Sequence, residues 1–483
     1  MSNNYDAIII GSGPNGLSAA IELAQNGLKV LVLEAAATIG GGTRTVELTL
    51  PNFQHDYCSA VHPTGILSPY WRTLPLEKYG LQWIKPSASV AHPLDNEEAV
   101  LMSRSVEETA ANLGIDGDAW QNMLRPFLKN PHGLLEDALG PLSIPDHPLM
   151  LARFGLKAMW SATRLANWQF KSHRAKALLA GCAAHSVLPL DMAFSAAIGV
   201  MFAVMAHTEN WPVAAGGSTN ITQALAAYLK ELGGEIQTDT QITDFKQLPP
   251  AKAYLFDTDP LQLTRIAVNE LPQSYIKRLQ KFNYGPGIFK VDWALDGSIP
   301  WSDKRCLLAS TVHIGGTMQE INVSEKAAWQ GKHCDKPYMI LCQQSEFDSS
   351  RAPEGKQTGY AYCHVPQGST VDMTEIMETQ IERFAPNFKD LILARHTTNT
   401  AQFQTYNPNH IGGSITGGTN NISQLFTRPV ARFDPYSTPN PKIFICSSST
   451  PPGGGVHGMC GFHAAKSVLK RLKKGTNISE KHI

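Results

Sequence analysis

A glycine-rich hexapeptide between an apolar run and a helical pattern constrains this chain more than any other feature. Ala7-Ile8-Ile9-Ile10 has the length and composition of a buried parallel strand. Gly11-Ser12-Gly13-Pro14-Asn15-Gly16 follows and fits G-x-G-x-x-G. Leu17, Ala20, Ile21 and Ala24 then recur at helical spacing, Asn26-Gly27 supplies a left-handed cap, and Val30-Leu31-Val32-Leu33 is a second strand closed by Glu34. In such a βαβ unit the first glycine permits the tight turn. The second lets backbone approach a pyrophosphate, and the third lets helix and strand pack closely. The helix N-terminus offers unpaired N–H groups and partial positive charge to phosphates, with Pro14 and Asn15 opening it. Glu34 stands where a carboxylate holds the ribose hydroxyls of an adenosine and repels a 2′-phosphate. A ligand-free glycine turn is the bland alternative; the strand before it, the helix after it and the acid at the expected distance disfavour it.

The fingerprint alone does not separate FAD from NAD. Gly40-Gly41-Gly42-Thr43-Arg44-Thr45 lies a short gap after Glu34, where Gly41, Gly42 and Thr43 bring backbone close to a second phosphate and Arg44 offers a cation. A surface ion pair is the ordinary alternative for Arg44. Pro452-Gly453-Gly454-Gly455-Val456-His457-Gly458-Met459 aims another helix N-terminus at a ligand, so Gly454, Gly455, Val456 and His457 join the expected cofactor contacts. A positive helix end there would stabilise a reduced, anionic flavin edge. Ile242, which with Ile236 marks short strands, is counted with the same set. The expected cofactor is noncovalent FAD. Attachment through Cys58, Cys460 or a histidine is a minor alternative.

The length of 483 residues allows roughly three domains, or two large ones interleaved in sequence. The fold class expected is α/β with an α+β substrate domain: a Rossmann-type FAD-binding domain from 1–90, 213–285 and 425–475, a mixed-sheet and helical substrate domain from 91–212 and 286–424, and a polar tail at 476–483. Val90 to Pro212 reads as helices and loops, and Gln241 to Phe245 as a strand. Phe289–Leu295, Cys306–Ile314, Tyr338–Gln343 and Gly359–His364 read as strands of one sizeable sheet. Formal net charge is zero, which argues against nucleic acid as a main partner. The eight cysteines form no C-x-x-C, so a redox disulfide or zinc knuckle is not expected, and reduced core thiols are. With no targeting segment before the first strand and no apolar run near 20 residues, the expected location is cytoplasmic, soluble or peripheral to a membrane.

Beyond these motifs the chain resembles a known group. Gly11 to Glu34 with Gly40-Gly41 is similar to the N-terminal signature of the glutathione-reductase-type FAD superfamily, which contains amine oxidases and phytoene desaturases. Cys446 to Gly461 resembles more narrowly its phytoene-desaturase-related branch. Tyr284–Gly287, Lys290–Leu295, His313–Thr317, Ser350–Lys356 and Asn407–Gly413 agree with that branch, so the resemblance spans nearly the whole chain. It implies FAD held by the Gly11–Gly16 loop, Glu34, Gly40–Arg44 and Gly453–Gly458. Two features depart from the superfamily: only Lys246–Lys252 separates the strands where a β-meander often lies, and no second G-x-G-x-x-G marks a domain for NAD(P)H.

A flavin accepts a hydride without help from protein acids, so catalytic residues are hard to read. His457, in the glycine turn, is the first candidate; His62 and Tyr57, in the His55–His62 stretch, are the others. A capping or core role is the alternative for each. Phe194, Ile198, Met201, Phe202 and Met205 lie in the apolar run Met192–Ala206, which reads as a core helix or as the wall of a hydrophobic tunnel. His185, His313 and His364 have no metal-ligand spacing and read as structural. Residues 148–171 place Arg153, Lys157, Arg164 and Lys171 on one projected stripe flanked by Trp160 and Trp168, as in a helix lying in a lipid interface. A mostly buried helix with one solvated edge is the alternative. The function expected is an FAD-dependent oxidoreductase, phytoene desaturase-like, acting on an apolar, polyene or lipid-like substrate by hydride transfer or isomerisation. A flavin amine oxidase and a non-catalytic FAD-containing interaction protein are the rivals.

Overall fold

The computed structural model describes residues 5–479, with side chains described through Lys473. Two sheets organise the chain, and the α/β class read from the sequence holds. The first has five strands, in the order Ile443–Ile445, Ala253–Phe256, Ala7–Ile10, Val30–Leu33, Glu235–Gln237. All its pairings are parallel. Strands covered by helices on both faces must be apolar throughout, and the three central ones are buried at every residue. The Pro14–Gln25 helix packs on one face beside the Thr219–Glu231 and Met459–Ser479 helices. Gly27 closes the first of these from the left-handed region, at φ 80°. No strand lies between Glu235–Gln237 and Ala253–Phe256, so the meander is absent.

The second sheet has seven strands, in the order Ile392–Thr398, Gly287–Leu295, Gln357–Val365, Met339–Cys342, Ala309–Ile314, Ala88–Leu94, Glu97–Ser103. Its pairings are antiparallel except the one between Ala309–Ile314 and Ala88–Leu94. Helices 173–184 and 195–209 pack on each other beside it.

Several local expectations give way. Residues 88–103 form a hairpin, not helix or loop, because Asp95-Asn96 is a two-residue turn with Asn96 at φ 55°. Gln241–Phe245 is not a strand: Asp244 and Gln247 form a capping box around a single helical turn at Phe245–Gln247. Cys306 sits in a helical turn at Lys304–Leu308, and its strand begins at Ala309. The Ile392–Thr398 strand is not legible in the sequence because its Arg395 and His396 give an edge strand a polar pattern. Residues 148–171 are two helices, Pro148–Ala158 and Ala162–Gln169, since Ser161 accepts the Arg164 N–H and starts a new helix. The four basic residues therefore do not share one stripe. The expected tail is helical through Ser479, and residues 480–483 lie outside the described residues.

Candidate functional site

One cavity of about 690 Å³ runs from the Gly11–Asn15 loop to the Ser195–Glu209 helix. Its two ends differ in chemistry.

At the first end backbone comes to the surface because side chains are excluded. A Cβ on Gly13 would stand 2.8 Å from Asp257 Oδ2, and one on Gly16 would collide with the Gly11 carbonyl oxygen. Gly16 itself lies behind the lining, and its N–H donates to Asp257 Oδ2 at 2.9 Å. Asp257, at the carboxyl end of the Ala253–Phe256 strand, is a lining residue that sequence reasoning missed. Ligands of open parallel sheets sit at such strand ends, and that was the available signal. Burial raises its pKa well above the carboxylate range, with Glu34 adding to the effect. Glu34 lines the cavity with its carboxylate oriented by four donors. Oε2 accepts from Ser12 N–H (2.9 Å) and Oγ (2.6 Å), and Oε1 from Ala36 N–H (3.0 Å) and Arg44 Nη2 (3.2 Å). Arg44 is thus neither a surface pair nor a free cation. It lines the cavity as a buried partner of Glu34, and it also donates to the Thr38 carbonyl at 2.6 Å. Gly41, Gly42 and Thr43 line the same end, and so does Ile242, although it belongs to no strand. Asn15 Oδ1 and Thr258 Oγ1 are buried there with no partner among the described residues. Buried polar atoms are normally satisfied, so two orphans on the lining fit a polar ligand in the cavity.

The Gly454–His457 turn also lines the cavity. His457 is 1% exposed, and its Nδ1 accepts the Met459 N–H at 3.0 Å. Burial lowers its pKa to about 4, so it is a neutral imidazole with its proton on Nε2. The other two catalytic candidates are not on the lining. His62 bonds Ser218 Oγ at 2.8 Å, one layer behind Pro63 and Thr64. Tyr57 stacks on Tyr406 with centroids 3.4 Å apart, and Tyr406 takes the lining position. Cys58 lines the cavity with its thiol pushed up to about 11 by burial. All eight cysteines are free.

The second end is an apolar chamber. Phe194, Ile198, Met201, Phe202 and Met205 all line it. Ile198, Met201, Phe202 and Met205 fall at i, i+3, i+4 and i+7, one face of the helix, while Ala196, Val200, Ala203 and Val204 on other faces are in the core. Trp211, Ile340, Tyr360 and Tyr362 close the chamber. Behind it Lys290 and Asp292 form a fully buried ion pair, with Lys290 Nζ 4.2 Å from the centre of the Tyr360 ring and His55 Nδ1 3.6 Å from Asp292. Burial pushes the Asp292 carboxyl up to about 6. Of the three histidines read as structural, His185 lines the chamber and His313 lies behind it, their Nε2 atoms 2.9 Å apart; His364 pairs with Glu325 at 2.8 Å.

Comparison with known proteins agrees with this architecture. Residues 9–74 match the family model described as an NAD(P)-binding Rossmann-like domain. Pyridine nucleotide-disulfide oxidoreductase domain-containing protein 2 of Mus musculus is 25% identical, over 97% of this chain and 94% of its own length. An oxidoreductase from Methanosarcina mazei superposes with a TM-score of 0.65 at 13% identity, covering 96% of this chain and 100% of its own. A putrescine oxidase variant superposes with a TM-score of 0.62 at 14% identity, covering 97% and 99%. Residues 9–74 thus match a Rossmann-like family model, the fold as a whole is that of the solved oxidoreductases, and over nearly all its length the chain is similar to pyridine nucleotide-disulfide oxidoreductase domain-containing protein 2.

Proposed function

We propose that this protein is an oxidoreductase that holds FAD noncovalently at the glycine-loop end of the cavity and oxidises or isomerises an apolar substrate in the chamber. The observation that carries this reading is continuity: one cavity has a dinucleotide cradle at one end and an aromatic and aliphatic wall at the other. The cradle fits the cofactor by its own chemistry. It combines glycines that admit no side chain, two orphaned polar atoms and an oriented carboxylate. Bound there, FAD supplies a two-electron acceptor. Gly11 and Gly13 would leave room for the pyrophosphate, Glu34 would stand beside the ribose as an anion already oriented by its own donors, and the neutral His457 would offer an Nε2–H donor. The raised thiol of Cys58 and the buried Cys460 thiol, which donates to the Thr450 and Gly453 carbonyls, argue against covalent attachment. The relatives named as oxidoreductases and as putrescine oxidase support the reaction class.

The chamber favours an apolar substrate over an amine. Glu34 and Asp257 are the only carboxylates on the lining among the described residues, and both sit at the glycine-loop end, so no anion meets an ammonium group. The test is direct. Acid-treated protein should release a yellow supernatant that migrates as FAD. Anaerobic incubation with a polyene and lipid panel should bleach the flavin, and an amine panel should not. Bleaching by amines alone would overturn the substrate class. Rapid bleaching by NADH or NADPH would contradict the single-fingerprint reading.

A further inference from the structure

His185 lines the cavity against Phe202 and Trp211, and its surroundings fix which nitrogen carries the proton. His92 Nε2 lies 2.7 Å from the Gly316 carbonyl oxygen, which only accepts, so His92 is protonated on Nε2 and bare on Nδ1. His313 Nδ1 is buried without a partner, and so is His92 Nδ1. Both face Gly181: a Cβ there would lie 2.5 Å from His313 Nδ1 and 3.2 Å from His92 Nδ1. The glycine points a Cα hydrogen along that direction, which suits a bare nitrogen and opposes an N–H. His313 therefore carries its proton on Nε2 and donates it to His185 Nε2 across 2.9 Å. With Nε2 accepting, a neutral His185 holds its proton on Nδ1. That atom has no hydrogen-bond partner among the described residues and is not sealed from the cavity, on a residue that lines the chamber. Phe202 and Trp211 pack against the ring edge-to-face at centroid distances of 4.9 and 5.4 Å and hold it in place.

We infer that His185, set by the His92–Gly181–His313 stack, presents an Nδ1–H donor to the apolar chamber and selects substrates that carry one hydroxyl or carbonyl oxygen on an otherwise apolar frame. The inference rests on the chamber being the substrate site. It narrows the substrate class from hydrocarbons to oxygenated apolar molecules, because a donor buried against aromatic rings is left unpaired when a pure hydrocarbon displaces water from it.

The experiment uses the FAD-loaded protein and two probes of similar shape, 2-acetylnaphthalene labelled with carbon-13 at the carbonyl and 2-ethylnaphthalene. The ketone should bind about tenfold more tightly than the hydrocarbon. Its carbonyl infrared band should fall below its position in an apolar solvent. In His185→Phe the preference and the band shift should both vanish while the hydrocarbon still binds. His185→Gln, which keeps a donor, should restore part of each. A band shift unchanged in His185→Phe, or equal binding of both probes to the unaltered protein, overturns the role of His185 and leaves the chamber reading intact. Failure of both probes to bind FAD-loaded protein overturns the chamber reading as well.

Discussion

At one end of the cavity the lining is largely backbone, drawn from short segments at 11–15, 41–44 and 454–457; at the other it is side chains, drawn from the Ser195–Glu209 helix, Trp211 and the strands Met339–Cys342 and Gln357–Val365. The first end owes its shape to excluded Cβ atoms and to N–H groups of loops, so its chemistry is written in consecutive residues. The second owes its shape to how a helix and a distant sheet meet. A substitution at the first end should therefore act as a steric switch on whatever the cradle admits. A substitution at the second tunes what fits. This division is open to direct attack by variants confined to one end.

The largest effect belongs to Gly13→Val. The side chain has no room beside Asp257 Oδ2, and the pyrophosphate would need the same space. FAD should be lost completely, read as the flavin-to-protein absorbance ratio after gel filtration, with the far-ultraviolet circular dichroism of a folded chain retained. Retained FAD would contradict the assigned loop. At the other end, Ile198→Trp should leave that ratio unchanged and weaken 2-ethylnaphthalene binding about 10- to 100-fold by overfilling the chamber. Loss of FAD from this variant would mean that the two ends are not separable.

The two ends share one property, and acid tests it. His457 at the cofactor end and His185 in the chamber are held neutral by burial, with pKa values lowered to about 4 and about 3. His62 and His92, behind the lining, are lowered to about 4 by the same cause. Between the unfolded histidine value, near 6.5, and the native values, the unfolded chain binds more protons than the native one. Stability therefore rises with pH through this window and is lost as pH falls through it. Each pH unit separating a native value from the unfolded one is worth about 1.4 kcal/mol, so a few such groups together contribute several kcal/mol. The melting temperature should be nearly flat from pH 7 to 8 and drop steeply from pH 6 to 4. A flat profile down to pH 4 would show that these imidazoles are protonated in the native state.

His457→Ala sharpens the comparison on the cofactor side. Because Nδ1 is occupied by the Met459 N–H, the group His457 can offer a ligand is Nε2–H, in competition with the Gly453 and Gly454 carbonyls. Losing one donor beside the flavin should lower its reduction potential by roughly 30 mV, the two-electron equivalent of about 1.4 kcal/mol. An unchanged potential and spectrum would make His457 a cap of its own turn.

The contrast between the ends also explains what the sequence discloses. Gly11 to Glu34 is legible because turn, phosphate approach and helix packing each demand a glycine at a fixed place, and the strand and helix around them have plain periodicities. Asp257 is not, because its role depends on a parallel pairing between Ala7–Ile10 and Ala253–Phe256, about 250 residues apart in the chain. His62 and Tyr57 lie near the site but one layer further out than expected; Thr64 and Tyr406 fill the lining positions instead. Sequence proximity cannot tell a lining side chain from the one that supports it. Ile198, Met201, Phe202 and Met205 share a face that is visible as a periodicity, but whether it meets core or cavity depends on the sheet opposite. The chemistry of His185 is invisible for the same reason, since it comes from helix 173–184 meeting strands 88–94 and 309–314.

The smallest effect expected lies outside the cavity, where its apolar wall approaches the surface. Among the described residues no helix is long and apolar enough to cross a membrane. Leu149, Leu156, Met159 and Trp168 are nevertheless 50% or more exposed. Trp160 joins them, with its ring centre 5.6 Å from that of Trp168, and Lys157 Nζ stands 5.9 Å from the Trp168 ring. The backbone N–H of Phe194, a chamber residue, donates to the Met159 carbonyl at 3.4 Å, so this patch adjoins the chamber wall. Arg153, Arg164 and Lys171 are exposed on the same segment. The continuous stripe read from the sequence is gone, but exposed apolar rings beside cations are the composition that a lipid interface takes up. We propose a reversible contact with anionic lipid here. Each basic residue near such a surface contributes on the order of 1 kcal/mol, so the four together give weak, salt-sensitive binding. Cosedimentation with phosphatidylserine-containing vesicles should be measurable at low salt, fall at high salt, and fall again when Arg153, Lys157, Arg164 and Lys171 are all changed to Gln. Neutral phosphatidylcholine vesicles should bind less in every condition. Equal binding by the Gln variant, or none to the anionic vesicles at low salt, would leave the patch an ordinary surface.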